Sequence, residues 1–203
     1  MVTGAGTGLG NGGNPVCAGI DIGGTNTRVG LFDENFLLLG QVSFPTPKPA
    51  QADGRPEPDP SGYLDRIAEA VRELGRQHGG GDRIRCVGIG VPGNVDPYEG
   101  VVRDAVNLGW ERIDLAAEMA SRLDRHVVVE HDVRCFVAGE ANAGAGAGCR
   151  HLIGVTVGTG IGAGIAVDGA VVRGASWRAG EIGHDAVDGE SAPCNCGKRG
   201  CLE

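Results

Sequence analysis

The chain has 203 residues, 41% hydrophobic and 22% charged, the proportions of an ordinary soluble protein long enough to bury a sizeable core. Its net charge of −8 argues against nonspecific attraction to DNA or anionic lipid, both of which need a basic surface. No apolar run approaches the roughly 20 residues of a membrane span, and the opening MVTGAGTGLGNGGNP lacks the charged and apolar regions of a signal peptide. A cytoplasmic protein without membrane or nucleic-acid partners is expected.

Residues 1–15, rich in glycine and aperiodic, are expected to form a disordered leader. Three strands are predicted next, at Val16 to Asp21, Thr27 to Phe32 and Phe36 to Phe44, joined as an antiparallel meander by turns at Gly23-Gly24 and Asp33-Glu34-Asn35. PTPKPAQADGRPEPDP reads as a proline-rich loop, and Leu64, Ile67, Val71 and Leu74 follow helical spacing from Ser61 to a stop at Gly79-Gly80-Gly81. IRCVGIGVPG is a buried strand running into a loop, Asp114 to Leu123 a short amphipathic helix, and Val127 to Glu130 another buried strand. The helix after it carries an apolar stripe that includes Val133, Phe136 and Val137. Strands followed by alternating helix and strand suggest a mixed sheet with helices packed on it. At HLIGVTVGTGIGAGIAVDGAVVRG the meander begins again, with VGTGIGAG where DIGGTNTR stood, which implies two similar lobes facing each other.

DIGGTNTRVG fits two structures. One is a phosphate-binding hairpin, in which Gly23 and Gly24 let an anion approach the main chain, Thr25 donates and Asp21 faces the associated cation. The other is a plain tight turn. Gly158, Gly160 and Ala163 satisfy a loose dinucleotide fingerprint, but strand continues where that site needs a helix, so a Rossmann site is rejected. Asp132 stands where a buried strand meets a helix N-terminus: it is placed either to cap the helix or to take a proton from a substrate hydroxyl.

Of seven cysteines, Cys17, Cys86, Cys135 and Cys149 are scattered singly in apolar or glycine-rich surroundings and are expected to be buried and reduced. Cys194, Cys196 and Cys201 cluster, and with His184 they make the Cys₃His set of a closed structural zinc site. Gly197 and Gly200 allow the knuckle that brings Cys201 back.

Taken in order, DIGGTNTRVGLFD, GIGVPGNVDPYEGVV with NLGW, VEHD, TVGTGIGAGI, AGEIGH and CNCGKRGCLE resemble the ROK family of sugar kinases and sugar-responsive repressors, from about Val16 to Glu203. The resemblance implies an α/β, actin-like ATPase (ribonuclease H-like) fold of two lobes, a first lobe over 16–131 and an incomplete second lobe over 132–203 with a zinc-binding loop at 183–203. It implies ATP-dependent phosphorylation of a hexose, glucose first, with Asp132 as general base and magnesium bridging the phosphates. Asp21, Gly23, Gly24, Thr25, Thr159 and Gly160 would line the ATP phosphates. Gly93, Asn94, Asn107, His131, Asp132, Glu181, His184 and Glu203 would meet the sugar, His184 also ligating zinc. His131 stands where the family usually has Asn, which bears on sugar specificity. Family members continue beyond the cysteine motif into helices that form the adenine pocket, so these residues alone are expected to lack it; a full-length relative would be a homo-oligomer. Two alternatives follow: a sugar-binding regulator, for which a helix-turn-helix before Asp21 would be needed, or an inactive zinc-stabilised sugar-binding fragment.

Overall fold

A computed structural model describes residues 14–48, 60–158, 160–194 and 196–203. Residues 1–13 of the expected leader and 49–59 of the proline-rich loop lie outside the described residues. The first strand, β1 (Val16–Ile22), alternates so that Val16, Ala18, Ile20 and Ile22 turn inward while Cys17, Gly19 and Asp21 share the opposite face. It continues into β2 (Asn26–Phe32) and β3 (Leu38–Pro45) as an antiparallel meander. The third strand starts later than predicted because Asp33 Oδ1 accepts the amide hydrogens of Asn35 and Leu37, both at 2.9 Å. That turn puts Phe36 at φ 62° and leaves Phe36 and Leu37 exposed.

Helix α1 (Pro60–Gln77) crosses back over the sheet, burying Leu64, Ile67, Ala68, Val71 and Leu74 at three- and four-residue spacing. Its outer face is held by Arg76 between Glu69 (2.7 Å) and Glu73 (2.5 Å). Strand β4 (Ile84–Val91) then lies parallel to β1. The loop predicted after it is instead a hairpin, β5 (Asn94–Asp96) and β6 (Val101–Asp104). The turn is organised by the buried Asp96, which accepts from Tyr98 N, Glu99 N and Arg103 Nη2. Helix α2 (Leu115–Leu123) leads to β7 (His126–His131), parallel to β4. The sheet order is β3-β2-β1-β4-β7, with α1 and α2 as the crossovers that parallel pairs require. Val16, Ile20, Val29, Leu31, Ile67, Val71, Val87, Ile89, Leu115 and Met119 form one core between sheet and helices. Each such side chain, fully buried, stabilises by about 1.5–3 kcal/mol.

Helix α3 (Asp132–Ala143) packs on a second meander, β8 (Leu152–Val157), β9 (Ile161–Val167) and β10 (Ala170–Val171), ordered β10-β9-β8. Strand, glycine turn and strand thus recur as the sequence suggested. Close approach explains two glycines here: a Cβ at Gly154 or Gly164 would fall 2.7 or 2.5 Å from Val137 Cγ2. The predicted stripe on α3 is only partly buried, Val137 fully and Phe136 41% exposed. Arg134 takes the buried place instead, 1% exposed, because it has partners inside. The cysteine expectation also changes. Cys17 and Cys149 are exposed, and Cys17 is not single: its Sγ lies 2.7 Å from that of Cys86.

Candidate active site

The carboxyl ends of the three parallel strands meet at one place. Asp21 at the end of β1 is in register with Gly90 of β4, and Gly90 with Glu130 of β7. The chain then passes through His131 into the first turn of α3, where Asp132 stands. The capping alternative for Asp132 does not hold. His131 occupies the cap position without a side-chain bond, and the backbone amide that Asp132 Oδ1 accepts from, among the described residues, is that of the next residue, Val133, at 2.7 Å.

Asp21 and Asp132 repel each other electrostatically. Burial first, and then the Asp132 carboxylate, raise the Asp21 pKa above its usual range, with Arg28 at 3.4 Å opposing. Such a carboxylate pair, short of positive charge, is a setting for a divalent cation. His131 connects Asp132 to the segment that follows β10: Nδ1 lies 3.3 Å from Asp132 Oδ1 and Nε2 3.7 Å from Glu181 Oε1, just before a short 3-10 turn at Ile182–His184. Burial holds its imidazole below the ordinary value, while Asp132 and Glu181 pull the other way and Arg134 adds to the depression.

The remaining predicted residues fall into two groups. Gly23 N bonds Asn26 O at 3.0 Å to close the first glycine turn, Lys48 Nζ donates to Gly24 O at 2.8 Å, and Thr25 O accepts from Thr46 N at 3.0 Å. Asn107 packs beside this turn, its Cβ 3.7 Å from the place a side chain on Gly24 would occupy. Gly93, at φ 101°, turns the chain into β5, and Asn94 follows with a buried Oδ1 that has no partner among the described residues. An unpaired buried carbonyl oxygen is costly and marks a place for a donor from outside the chain.

The second group surrounds His184. The ligand atoms of His184, Cys194, Cys196 and Cys201 lie within 4.8 Å of one another. Cys196 and Cys201 sulfurs are 3.7 Å apart and Cys194 Sγ is 3.6 Å from His184 Nδ1. Those are the edges of a tetrahedron with zinc–sulfur and zinc–nitrogen bonds of about 2.3 and 2.0–2.1 Å. The Cys196 thiol is drawn below its ordinary value, chiefly by the Lys198 amide, while burial and neighbouring thiols push Cys201 up to about 12. A cation of the zinc type would remove that conflict by taking Cys194, Cys196 and Cys201 as thiolates. Glu203 leans on the cluster, Oε1 3.3 Å from His184 Nδ1 and Oε2 accepting from Ile161 N at 3.2 Å. A Cβ at Gly160 would lie 2.6 Å from the same Oε2, so the second glycine turn and the metal cluster meet at this carboxylate. Thr159 lies outside the described residues.

Sequence reasoning missed a bracket that ties the end of β7 and α3 to the segment after β10. Glu130 Oε1 accepts from Arg134 Nε at 2.8 Å and from His131 N at 2.9 Å, and Oε2 from Arg173 Nε at 2.6 Å. Arg134 Nη1 donates to Trp177 O at 2.9 Å, and the Trp177 ring stands 5.3 Å from Tyr98 on the β5–β6 hairpin. The only sequence signal was a pair of opposite charges four residues apart, Glu130 at the end of β7 and Arg134 in the first turns of α3, and His131 and Asp132 between them masked it.

A sequence profile described as the ROK family matches residues 17–203. A glucokinase from Thermotoga maritima is 37% identical over 186 residues, 91% of this chain and 55% of that protein. An N-acetylgalactosamine kinase from a Shewanella species is 34% identical over 194 residues, 91% and 58%. The crystal structure of a ROK family glucokinase from Streptomyces griseus, in complex with glucose and AMPPNP, superposes with a TM-score of 0.75 at 34% identity, covering 92% of this chain and 55% of that one. The chain spans about half the length of the curated relatives it matches.

Proposed function

The chain belongs to the ROK family, and from that premise we propose that it serves the ATP-dependent phosphorylation of a hexose, glucose to glucose 6-phosphate, with Asp132 as general base. One observation carries the reading: Asp132 lies close enough to Asp21, at the end of β1, to raise its pKa, and is joined through His131 to Glu181 in the segment that follows β10. The fold, which is the actin-like α/β fold of the ROK glucokinases, supports a cleft at that place. The glucokinase relatives support glucose as the sugar.

In this reading Asn94 Oδ1, short of a partner, accepts a hydrogen bond from a sugar hydroxyl, and Glu181 accepts others. Gly93, Asn107 and His131 line the same sugar, and Glu203 bounds it from the metal side. The Asp132 carboxylate stands at the N-terminal and positive end of α3. It takes the proton of the 6-hydroxyl as that oxygen attacks the γ-phosphate, an effect worth about 10²- to 10⁴-fold in rate. The backbone of Gly23, Gly24 and Thr25, and of Thr159 and Gly160, faces the phosphates. Asp21 would hold magnesium, which when bound neutralises phosphate charge. Zinc held by His184, Cys194, Cys196 and Cys201 would be structural. Using Nδ1 for the metal leaves His184 Nε2 protonated as a donor of fixed direction.

A coupled assay of glucose-dependent ADP release tests the proposal. Asp132→Asn is expected to lower turnover by at least about 10²-fold while glucose binding by calorimetry is kept. A variant that turns sugar over at the parental rate would remove Asp132 from the role of base.

A further inference from the structure

Outside this site, two cysteines face each other on the sheet. Cys17 in β1 and Cys86 in β4 are register partners across a parallel pair. Their sulfurs are 2.7 Å apart, a full ångström closer than the 3.7 Å between Cys196 and Cys201 in the metal cluster. Neighbouring strands lie about 4.8 Å apart, within the roughly 4.4–6.8 Å between Cα atoms that a disulfide spans. The register shifts between Val16 and Cys17, so the pair sits next to an irregularity in the ladder and not inside a long regular run.

We propose that Cys17 and Cys86 are a reversible oxidation site, closed to a cross-strand disulfide by a small-molecule disulfide of the glutathione type. Access fits the chemistry, since Cys17 is exposed and Cys86 half-buried. A metal is the poorer reading of the pair: among the described residues the only Cys/His/acid group arranged to hold one is that of His184. The Cys17 thiolate attacks one sulfur of the reagent, forming a mixed disulfide and releasing one small thiolate. Cys86 sulfur then attacks Cys17 sulfur and expels the second. Two protons leave the protein, two thiols are made, and the cysteine pair is oxidised by two electrons. Cys86, the closing group, is pushed up to about 11 by burial and by its contact with Cys17, so closure quickens as pH rises. The bond would tie together the two strands whose far ends carry Asp21 and Gly90, the same face of β1 bearing Cys17 and Asp21.

Trypsin reads the outcome without ambiguity, because residues 1–28 and 86–103 form two peptides with one cysteine each. The folded chain in zinc-containing buffer is equilibrated with oxidised glutathione, quenched in acid, alkylated and digested. The expected product is peptide 1–28 joined to peptide 86–103, lighter than their sum by two hydrogens and separated again by reductant. Cys86→Ser is expected to stall at a glutathione adduct on peptide 1–28, and Cys17→Ser to give no joined species. Recovery of both wild-type peptides unjoined, while the exposed Cys149 carries glutathione and so reports that the reagent acted, would overturn the proposal.

Discussion

Replacing Glu130 with alanine takes from two guanidinium groups the carboxylate they share. Arg173 is 35% exposed at its side chain and can turn to water, but Arg134 is 2% exposed and cannot. Its Nη2 already lacks a partner among the described residues, so after the change the bond left to it there would be from Nη1 to the Trp177 carbonyl at 2.9 Å. Removing one member of a buried ion pair costs about 3–5 kcal/mol, because the charge left behind is uncompensated. With a urea slope of about 2 kcal/mol per molar, the unfolding midpoint should fall by roughly 2 M. Tryptophan fluorescence follows the transition, since Trp177 belongs to the bracket and Trp110 to the core. The double variant Glu130→Ala with Arg134→Met should recover most of the loss, both charges of the buried pair being gone. A midpoint unmoved by Glu130→Ala, or a double variant no more stable than the single one, would refute the idea that an uncompensated Arg134 is what destabilises.

Two further outcomes are expected. The chain should bind one zinc per molecule through His184, Cys194, Cys196 and Cys201; Cys201→Ser or a chelator should release it and loosen the loop, so that trypsin cuts faster at the already exposed Lys198 and Arg199, measured by metal analysis and digestion rate. Asp21, whose folded pKa is raised above 3.8, makes the native state bind more protons than the unfolded one just above that value, so it should lower stability as pH rises through that window. Asp21→Asn should therefore raise the melting temperature at neutral pH and flatten that part of the profile, while weakening magnesium binding; a variant that melts lower at neutral pH would contradict the assignment.

Local patterns made much of this structure legible. Leu64, Ile67, Val71 and Leu74 announced α1, glycine turns between β-rich runs announced both meanders, and the close spacing of Cys194, Cys196 and Cys201 announced the knuckle. The β5–β6 hairpin was hidden because its strands have three and four residues, too few to show alternation. The Glu130 bracket was hidden for another reason: Arg173 lies 43 residues away and only the fold brings it back. The same holds for Cys17 and Cys86, 69 residues apart. Phe136 looked like core by its spacing, but the interior place on α3 goes to Arg134, whose partners no periodicity reveals.

Titration of glucose into the zinc-loaded chain, followed by calorimetry, tests the central claim most directly, because Asn94, His131, Asp132 and Glu181 all belong to this chain. One saturable site is expected, weakened at least about tenfold in Asn94→Ala and in Glu181→Ala, each losing about 1.5 kcal/mol or more of hydrogen bonding. Saturation that neither variant alters, or no saturation at all, would contradict a hexose site built from these residues.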